Sequence, residues 1–495
     1  MRSVLAIDQG TTGTTSLVID ERGAVVSRSY AEFTQQYPRA GWVEHDAREI
    51  WNVTLRTARE ALAATDLEPS AIGVTNQREA GVVWDRAAGE PVHRASVWQD
   101  RRTAERCREL KEAGREAWVR QRTGLVLDPY FSATKLEWLL REVPGLRERA
   151  EAGELAAGTI DSWLIWKLTG GQVHATDPTN ASRTLLYNID RLEWDDELLS
   201  LFDVPRALLP EVRPSSGDFG ETVSELFGRP IPVAGVAGDQ QAALFGQGCC
   251  APGLAKNTYG TGAFLLLNTG RERIASKQGL LTTVACDGRG QPAYALEGSI
   301  FIAGAAVQWL RDALGIIAQA PESEQLAREL ESNDGVYFVP AFVGLGAPHS
   351  DSEARGTIVG LTRGTGRAHL ARAALEAMAY ATRDVLEAME VDSGVAAADL
   401  AVDGGAALND WLMQFQADVI GRRVRRPAMV ETTALGAAGL AGLAVGVWPD
   451  VDAFLGAQPE PAFFEPAMDD AARATLLLGW QRAIAATRSW STHGG

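Results

Sequence analysis

Short apolar runs that end in Asp or in glycine turns recur along this chain and predict the buried strands of an α/β fold. The first run covers residues 4–7 and ends at Asp8, and a second covers residues 17–19 after a turn rich in Gly and Thr. Two such runs around a short turn predict a hairpin. Further strands are expected at 24–29, 71–75, 81–85, 232–239, 255–267 (strand, turn, strand), 336–342 and 400–406.

Apolar residues at helical spacing predict helices between these strands. One should begin after Asp46, with Glu49 at the capping-box position, and another near 160, capped by Asp161. The remaining helices are expected at 299–314, at 369–389, from Asn409 onward, and in a Gly/Ala-rich stretch at 434–448, which suits close packing. Residues 175–184 read as a polar loop, and a peripheral helix beyond 449 should end in a loose tail at 492–495.

The strand, Gly/Thr turn and strand at 255–267 repeat the pattern that opens the chain. The composition shifts to Gly, Cys and Pro near 246–253, so we place a boundary there and predict two domains, 1–247 and 248–495. Two related halves with matching turns suggest one nucleotide held in the cleft between them.

The formal net charge of −17 narrows the possible partners. A negative field of this size repels nucleic acid and anionic membranes, so neither is an expected partner. A phosphate site would then need local N–H groups, hydroxyls and a metal ion. The longest uncharged stretch is shorter than the ~20 residues of a membrane-spanning helix. No signal peptide precedes the first strand, and the four cysteines lack ligand spacing, so we expect a reduced, cytoplasmic protein without stable membrane insertion.

The turn of the first hairpin is a candidate phosphate site. Glycine at 10 and 13 lets the backbone approach a ligand closely, and Thr11 and Thr12 add hydroxyl donors. Asp8 at the strand end is placed to hold Mg²⁺ through water. An ordinary Gly/Thr turn is the alternative, and no Lys-Ser/Thr pair marks a Walker loop.

Asp239 follows a small-residue strand and is a candidate acceptor for the proton of an attacking hydroxyl; the alternative is a helix N-cap. Arg78 and Glu79 supply a donor and an acceptor for a polyhydroxyl ligand, or form a surface ion pair. Trp98 and Phe264 suit the C–H face of such a ligand, or belong to the core. The six histidines show no zinc-ligand spacing.

Taken together, these segments resemble the FGGY carbohydrate kinases from about residue 4 to about 490. The resemblance rests on motifs at 8–12 (DQGTT), 41–46 (GWVEHD), 75–79 (TNQRE), 128–132 (DPYFS), 238–244 (GDQQAAL), 257–262 (NTYGTG) and 403–405 (DGG). It implies two RNase H-like domains of the actin and Hsp70 ATPase type with a catalytic cleft between them. It also implies MgATP-dependent phosphorylation of glycerol to sn-glycerol 3-phosphate, and a homodimer or homotetramer.

The resemblance also implies a role for particular residues. Asp239 would be the general base, and Asp8 would lie near Mg²⁺. Glycerol would be held by Arg78, Glu79, Trp98, Tyr130, Asp239, Gln240 and Phe264. ATP would lie along Thr11, Thr12, Gly13, Thr261, Gly304, Gln308, Gly405 and Asn409. If these roles hold, the alternatives given above, an N-cap for Asp239 and a surface ion pair for Arg78 and Glu79, become the less favoured interpretations.

The chain departs from the usual family pattern in three places. Gly13, Thr14 and Thr15 stand where two serines and an arginine are common, which puts one phosphate contact in doubt. The segment 225–230 is short and contains no histidine, which argues against fructose 1,6-bisphosphate control and phosphohistidine activation. His349 and Ser350 replace aromatic residues, without an evident consequence.

Two rival functions remain. One is a family member that phosphorylates another polyol or a ketose. The other is a non-catalytic nucleotide switch of the actin or Hsp70 kind, against which the residues suited to a small ligand argue.

Overall fold

The computed structural model describes residues 1–492, so all of the tail predicted at 492–495 except Thr492 lies outside the described residues. Strands of the first half are β1 (Ser3–Gln9), β2 (Gly13–Asp20), β3 (Val25–Glu32), β4 (Glu44–His45), β5 (Pro69–Asn76), β6 (Gly81–Asp85), β7 (Glu90–Pro91), β8 (Ala95–Ser96), β9 (Leu155–Thr159), β10 (Ala175–Thr176), β11 (Tyr187–Asn188), β12 (Glu193–Trp194), β13 (Glu211–Val212) and β14 (Val233–Gly238). Its helices are α1 (Ala47–Ala63), α2 (Ala104–Glu112), α3 (Glu116–Thr123), α4 (Ala133–Glu142), α5 (Leu146–Glu151), α6 (Ile160–Leu168), α7 (Pro178–Ala181), α8 (Asp196–Leu201), α9 (Ser224–Phe227) and α10 (Asp239–Gly246).

The second half continues the same alternation. Its strands are β15 (Ala255–Tyr259), β16 (Ala263–Gly270), β17 (Leu281–Cys286), β18 (Pro292–Ile300), β19 (Tyr337–Val339), β20 (Thr357–Val359), β21 (Leu400–Gly404), β22 (Val424–Arg426) and β23 (Ala462–Phe464). Its helices are α11 (Gly304–Asp312), α12 (Glu322–Arg328), α13 (Arg367–Ser393), α14 (Asp410–Ile420), α15 (Thr432–Ala444), α16 (Val451–Gly456) and α17 (Asp470–Thr492).

The first half is built on a sheet in the order β14-β5-β1-β2-β3. The predicted hairpin is confirmed, since β1 and β2 pair antiparallel from Ser3↔Asp20 to Gln9↔Thr14. Strands β5 and β14 run parallel to β1, with Gln9 opposite Asn76 and Asn76 opposite Gly238. The carboxyl ends of all three strands therefore meet at one edge of the sheet.

The second half is built on a sheet in the order β17-β18-β16-β15-β21-β22-β23. The repeated strand-turn-strand pattern is confirmed as the antiparallel pair β15 and β16. Strand β21 runs parallel to β15, with Tyr259 opposite Gly404. The turns after these two strands, at 260–262 and 405–408, therefore lie side by side.

Helix α15 joins the two halves. A Cβ added at Gly73 of β5 would lie 2.2 Å from the carbonyl oxygen of Ala437, and one at Gly436 would lie 1.8 Å from that of Ala242. Backbones can approach this closely only where side chains are absent. The Gly/Ala-rich stretch is thus a buried helix, as predicted, and it packs on the first sheet although it follows the second in sequence.

Four local predictions were wrong. Asp46 caps α1 as expected, but Glu49 accepts hydrogen bonds from the backbone N and hydroxyl of Thr34 rather than closing a capping box. Asp161 lies inside α6 and accepts from the hydroxyls of Thr159 and Thr176. Residues 299 and 300 belong to β18, so the following helix starts only at Gly304.

The fourth error concerns residues 175–184. This segment is a buried strand and helix turn, not a polar loop. Its polar residues are buried because they bond to one another; the Asp177 carboxylate, for example, accepts from Thr179, Asn180 and Ser215.

Candidate active site

The site starts from the register of the first sheet. Asp8 lies in the penultimate position of β1, Arg78 and Glu79 follow β5, and Asp239 follows β14. Because the carboxyl ends of these strands are neighbours, the three segments lie together at one edge, facing the second sheet. Ligands of open α/β sheets bind at such an edge.

Arg78 and Glu79 belong to a buried network of four charges, which excludes a surface ion pair. The Arg78 guanidinium donates to both carboxylate oxygens of Glu297, at 2.7 and 3.1 Å. Arg183 donates to Glu79 at 2.6 Å and to Glu297 at 3.0 Å. Burial alone would raise the pKa of Glu297, but Arg183 and Arg78 outweigh it and lower that pKa to about 2. The two arginines thus hold Glu297 in its ionised form.

Glu79 is held in an uncommon backbone conformation, with φ of 62°. Ser132 fixes it further by donating its hydroxyl proton to the Glu79 carbonyl oxygen at 3.0 Å. A non-glycine residue persists at positive φ only where its surroundings determine it, and such residues concentrate at functional sites. The fixed backbone holds the Glu79 carboxylate against Arg183.

Asp239 is the most accessible carboxylate in contact with this network. Its side chain is 33% exposed, and its Oδ1 lies 3.2 Å from the Arg78 Nε. Asp239 is the first residue of α10, while Gly238 occupies the N-cap position, so the N-cap reading does not apply. The carboxylate is thus fixed by Arg78 and still accessible, as a proton acceptor must be.

Aromatic side chains link the predicted glycerol residues to the phosphate turn. The Trp98 and Tyr130 rings pack edge to face with centroids 5.5 Å apart. The Trp98 indole N–H donates to the Thr11 hydroxyl at 3.0 Å. Arg183 lies 5.8 Å from the centre of the Tyr130 ring, so this wall also reaches the charge network.

Gln240 and Phe264 lie on the side of the second domain. Lys256 of β15 donates to the Gln240 side-chain oxygen and, at 2.8 Å, to the Thr258 hydroxyl. Burial lowers the pKa of Lys256 to about 8, although Asp403 and Asp239 act against this shift. Phe264 is half-buried on β16, opposite Thr258 and Ser299. No contact described for residues 1–492 joins Phe264 directly to Arg78 or Asp239.

The residues predicted to hold the nucleotide fall in two places. Thr11, Thr12 and Gly13 form the turn of the first hairpin, closed by a hydrogen bond from the Gly10 N–H to the Gly13 carbonyl at 2.9 Å. The other five line a cavity of about 460 Å³ between the ends of β15 and β21 and helix α11: Thr261, Gly304, Gln308, Gly405 and Asn409. A cavity of this size suits a nucleoside.

The Asp8 carboxylate is suited to a divalent cation. Burial, and secondarily the charges of Asp239 and Glu431, raise the pKa of Asp8 to about 7. Carboxylates that lie this close together favour a bound cation. Among residues 1–492 no group of three or more His, Cys, Asp or Glu side chains forms a ready metal cage. The residues therefore fit Mg²⁺ held partly by water and nucleotide phosphates.

Sequence reasoning missed Arg183, Glu297 and Lys256. Each is fully or almost fully buried and contacts a predicted residue. Lys256 precedes the 257–262 motif directly, and its charge within a predicted strand was an available signal. Arg183 and Glu297 lie outside the motifs used, and their pairing becomes visible only in the fold.

Comparison with known proteins agrees with this arrangement. Residues 3–246 match the N-terminal domain of the FGGY family of carbohydrate kinases, and residues 255–445 match its C-terminal domain. The chain belongs to the FGGY family of carbohydrate kinases. The expected fold class, two such domains with a cleft between them, is confirmed.

Members of the family with high identity cover the whole chain. The glycerol kinase of Rhodopirellula baltica is 58% identical over 99% of this chain and 92% of its own length. Glycerol kinase 2 of Thermotoga maritima is 56% identical over 99% of both chains. The crystal structure of Plasmodium falciparum glycerol kinase with ADP superposes with a TM-score of 0.94 at 37% identity, covering 98% of each chain.

Proposed function

We propose that this chain transfers the terminal phosphoryl group of ATP to glycerol, forming sn-glycerol 3-phosphate. The observation that carries the proposal is identity of 56–58%, over nearly the full length, to proteins named glycerol kinase. The structural relative that contains ADP supports the use of ATP as donor. In this proposal domain 1–247 binds glycerol and the phosphates, and domain 248–495 binds the nucleoside.

The buried charge network orients the substrate. Arg78 and Glu79 present a donor and an acceptor to glycerol hydroxyls, and their partners Arg183 and Glu297 keep both side chains from rotating. Trp98, Tyr130 and Phe264 cover the C–H face, and Gln240, held by Lys256, contributes a further polar contact. Fixed orientation of this kind supplies much of the rate enhancement in phosphoryl transfer.

Asp239 is the proposed general base. It accepts the proton of the attacking hydroxyl as the new O–P bond forms and the bond to the leaving ADP oxygen breaks. Its contact with Arg78 fixes the carboxylate, and its exposure leaves an oxygen free to face the substrate. The nucleoside occupies the cavity lined by Thr261, Gln308 and Asn409, and Thr11, Thr12 and the backbone at Gly13 bind the phosphates.

Asp8 is the proposed magnesium ligand, through water. The bound ion supplies neutralisation of the charge on the phosphate oxygens. In the protein alone, burial is the main cause of the raised pKa of Asp8, and the charges of Asp239 and Glu431 add to it.

The test is release of ADP from MgATP, coupled to a spectrophotometric readout, over a panel of glycerol, erythritol and xylulose. Glycerol should give the highest kcat/KM. Preference for the larger polyol or the ketose would reject the glycerol assignment in favour of a sister kinase. ATP hydrolysis that is independent of every acceptor would favour a nucleotide switch.

The base is tested separately with Asp239→Asn. The variant should keep glycerol and ATP binding and lose roughly 10² to 10⁴ in kcat. Near-native turnover would remove Asp239 from this role.

A cytoplasmic location and a homo-oligomeric state are also proposed, each from fewer observations. Cys107, Cys249, Cys250 and Cys286 are free thiols, which suits a reducing cytoplasm. No helix within residues 1–492 has the length and apolar character needed to cross a membrane. The homodimer or homotetramer stays a prediction, to be measured by analytical ultracentrifugation.

A further inference from the structure

An ion pair on the outer part of the first sheet takes no part in the mechanism above. Arg28 of β3 places its Nε 3.3 Å from the Oε1 of Glu431, the residue before α15. Both side chains retain access to solvent, at 51% and 32% exposure. The pair bridges the edge of the first sheet and the helix that joins the two halves.

The strand register puts Arg28 on the same face of the sheet as Asp8. Thr15 of β2 lies directly between Asp8 of β1 and Tyr30 of β3. Directly opposed residues share a face, and so do residues two apart in one strand. Asp8, Thr15, Tyr30 and Arg28 therefore point to the same side of the sheet.

Tyr30 brings this face up to the phosphate turn. A Cβ added at Gly13 would lie 2.7 Å from the Tyr30 ring and 2.8 Å from its hydroxyl oxygen, so the ring packs against the turn itself. The Arg28 guanidinium lies 5.9 Å from the centre of the same ring. The same Cβ would lie 2.7 Å from the Ala31 carbonyl oxygen, so glycine at 13 is required by the approach of β3. The Tyr30 ring contacts the turn and lies within reach of the Arg28 guanidinium.

The carboxylates at this end of the cleft would repel the phosphates of ATP, so a positively charged side chain is needed there. The carboxylates of Asp239 and Glu431 lie close enough to Asp8 to act on it electrostatically. Arg183 is paired with Glu79 and Glu297, and Arg78 is paired with Glu297 and Asp239, so neither arginine is free to meet a phosphate. A triphosphate entering here meets three carboxylates, whereas Arg28 is held only by an exposed ion pair, which costs little to exchange.

We propose that Arg28 is a phosphate-binding residue of this site, which exchanges Glu431 for a phosphate oxygen of ATP. The inference rests on the proposed function, because it takes ATP as the donor. Thr15 lies one strand nearer to Asp8 and carries no charge, so the cation reaches the phosphates from β3 instead. A guanidinium suits this task because its planar set of donors matches phosphate oxygens.

The first test is steady-state kinetics of Arg28→Ala with Arg48→Ala as a matched control. Arg48 forms a comparable exposed pair with Glu90, at 55% and 49% exposure, at the start of α1. Arg28→Ala should raise KM for ATP by roughly tenfold to a hundredfold, as expected for loss of one hydrogen bond to a charged group, and leave KM for glycerol unchanged. Arg48→Ala should change neither KM.

The second test restores the charge from the neighbouring strand. Thr15→Arg, introduced into Arg28→Ala, should recover most of the lost affinity for ATP, since position 15 faces the same cleft. An unchanged KM for ATP in Arg28→Ala, or an equal rise for both substrates, would overturn the proposal. Failure of the proposed function is distinguished from this result because it would appear in the unsubstituted chain, as absence of glycerol-dependent ADP release.

Discussion

Arg183→Met offers the sharpest test of the buried charge network. Methionine keeps much of the volume and flexibility of the arginine stem, so the change removes mainly the charge and its donors. Arg183 lies outside the motifs that suggested the function, and its side chain is fully buried. It binds Glu79 at 2.6 Å and Glu297 at 3.0 Å, and both partner side chains are 1% exposed.

The magnitude follows from what the substitution leaves behind. Glu79 and Glu297 would then have Arg78 as their remaining arginine partner, and Arg78 also contacts Asp239, so negative charge is left uncompensated. Two hydrogen bonds between charged groups, at about 1.5–3 kcal/mol each, sum to about 3–6 kcal/mol. Breaking a buried ion pair by removing one partner costs about 3–5 kcal/mol, so we expect a loss of about 3–5 kcal/mol in unfolding free energy.

The loss should depend on pH with a defined sign. Burial already raises the pKa of Glu79, and Arg78 and Arg183 act against this shift. Without Arg183 the folded state binds a proton at Glu79 more tightly than the unfolded state does. The loss of unfolding free energy in Arg183→Met, relative to the unsubstituted chain, should therefore be largest near pH 8 and become smaller as the pH falls toward 5.

The assay is urea unfolding followed by tryptophan fluorescence, at pH 5 and pH 8. Arg141→Met is the control, because Arg141 pairs with Glu142 in solvent, at 62% and 47% exposure, and should cost no more than about 1 kcal/mol. KM for glycerol should rise in Arg183→Met and not in the control. Equal stability of the two variants, or a deficit that grows toward low pH, would refute the reasoning.

Two other predictions concern the cleft and the helix that joins the halves. The pKa of Asp8 is raised to about 7 in the folded protein, so the folded state binds this proton more tightly than the unfolded state does. Without nucleotide, the unsubstituted chain should therefore lose stability relative to Asp8→Asn as the pH rises from about 4 to about 7. Parallel pH profiles of unfolding free energy for the two proteins would contradict this. Gly436→Ala should lower the unfolding free energy by about 1–3 kcal/mol or more, because its Cβ would lie 1.8 Å from a backbone oxygen of α10. The control is Gly456→Ala, where a Cβ would enter open space. In thermal unfolding the control should be neutral or slightly stabilising.

The local elements of the fold were predictable because they depend on patterns within a few residues. The hairpin at 3–20, its repeat at 255–270, and the Gly/Ala-rich helix all formed where apolar spacing and glycine placed them. Caps were less predictable. Glu49 and Asp161 have the residue types of caps, but each found a partner elsewhere, Thr34 for one and Thr159 with Thr176 for the other.

The candidate site shows the same difference between what local sequence predicts and what the tertiary structure decides. The sequence alone predicted that Asp8, Arg78, Glu79 and Asp239 lie near one another, since each stands at or just after the end of a predicted strand, where open α/β sheets bind ligands. Only the tertiary structure decided what holds them. Arg183 meets Glu79 across 104 residues of chain, and Arg78 meets Glu297 across 219. A buried charge needs a partner wherever the fold brings one, and that choice is made by packing between distant segments, which no local pattern records.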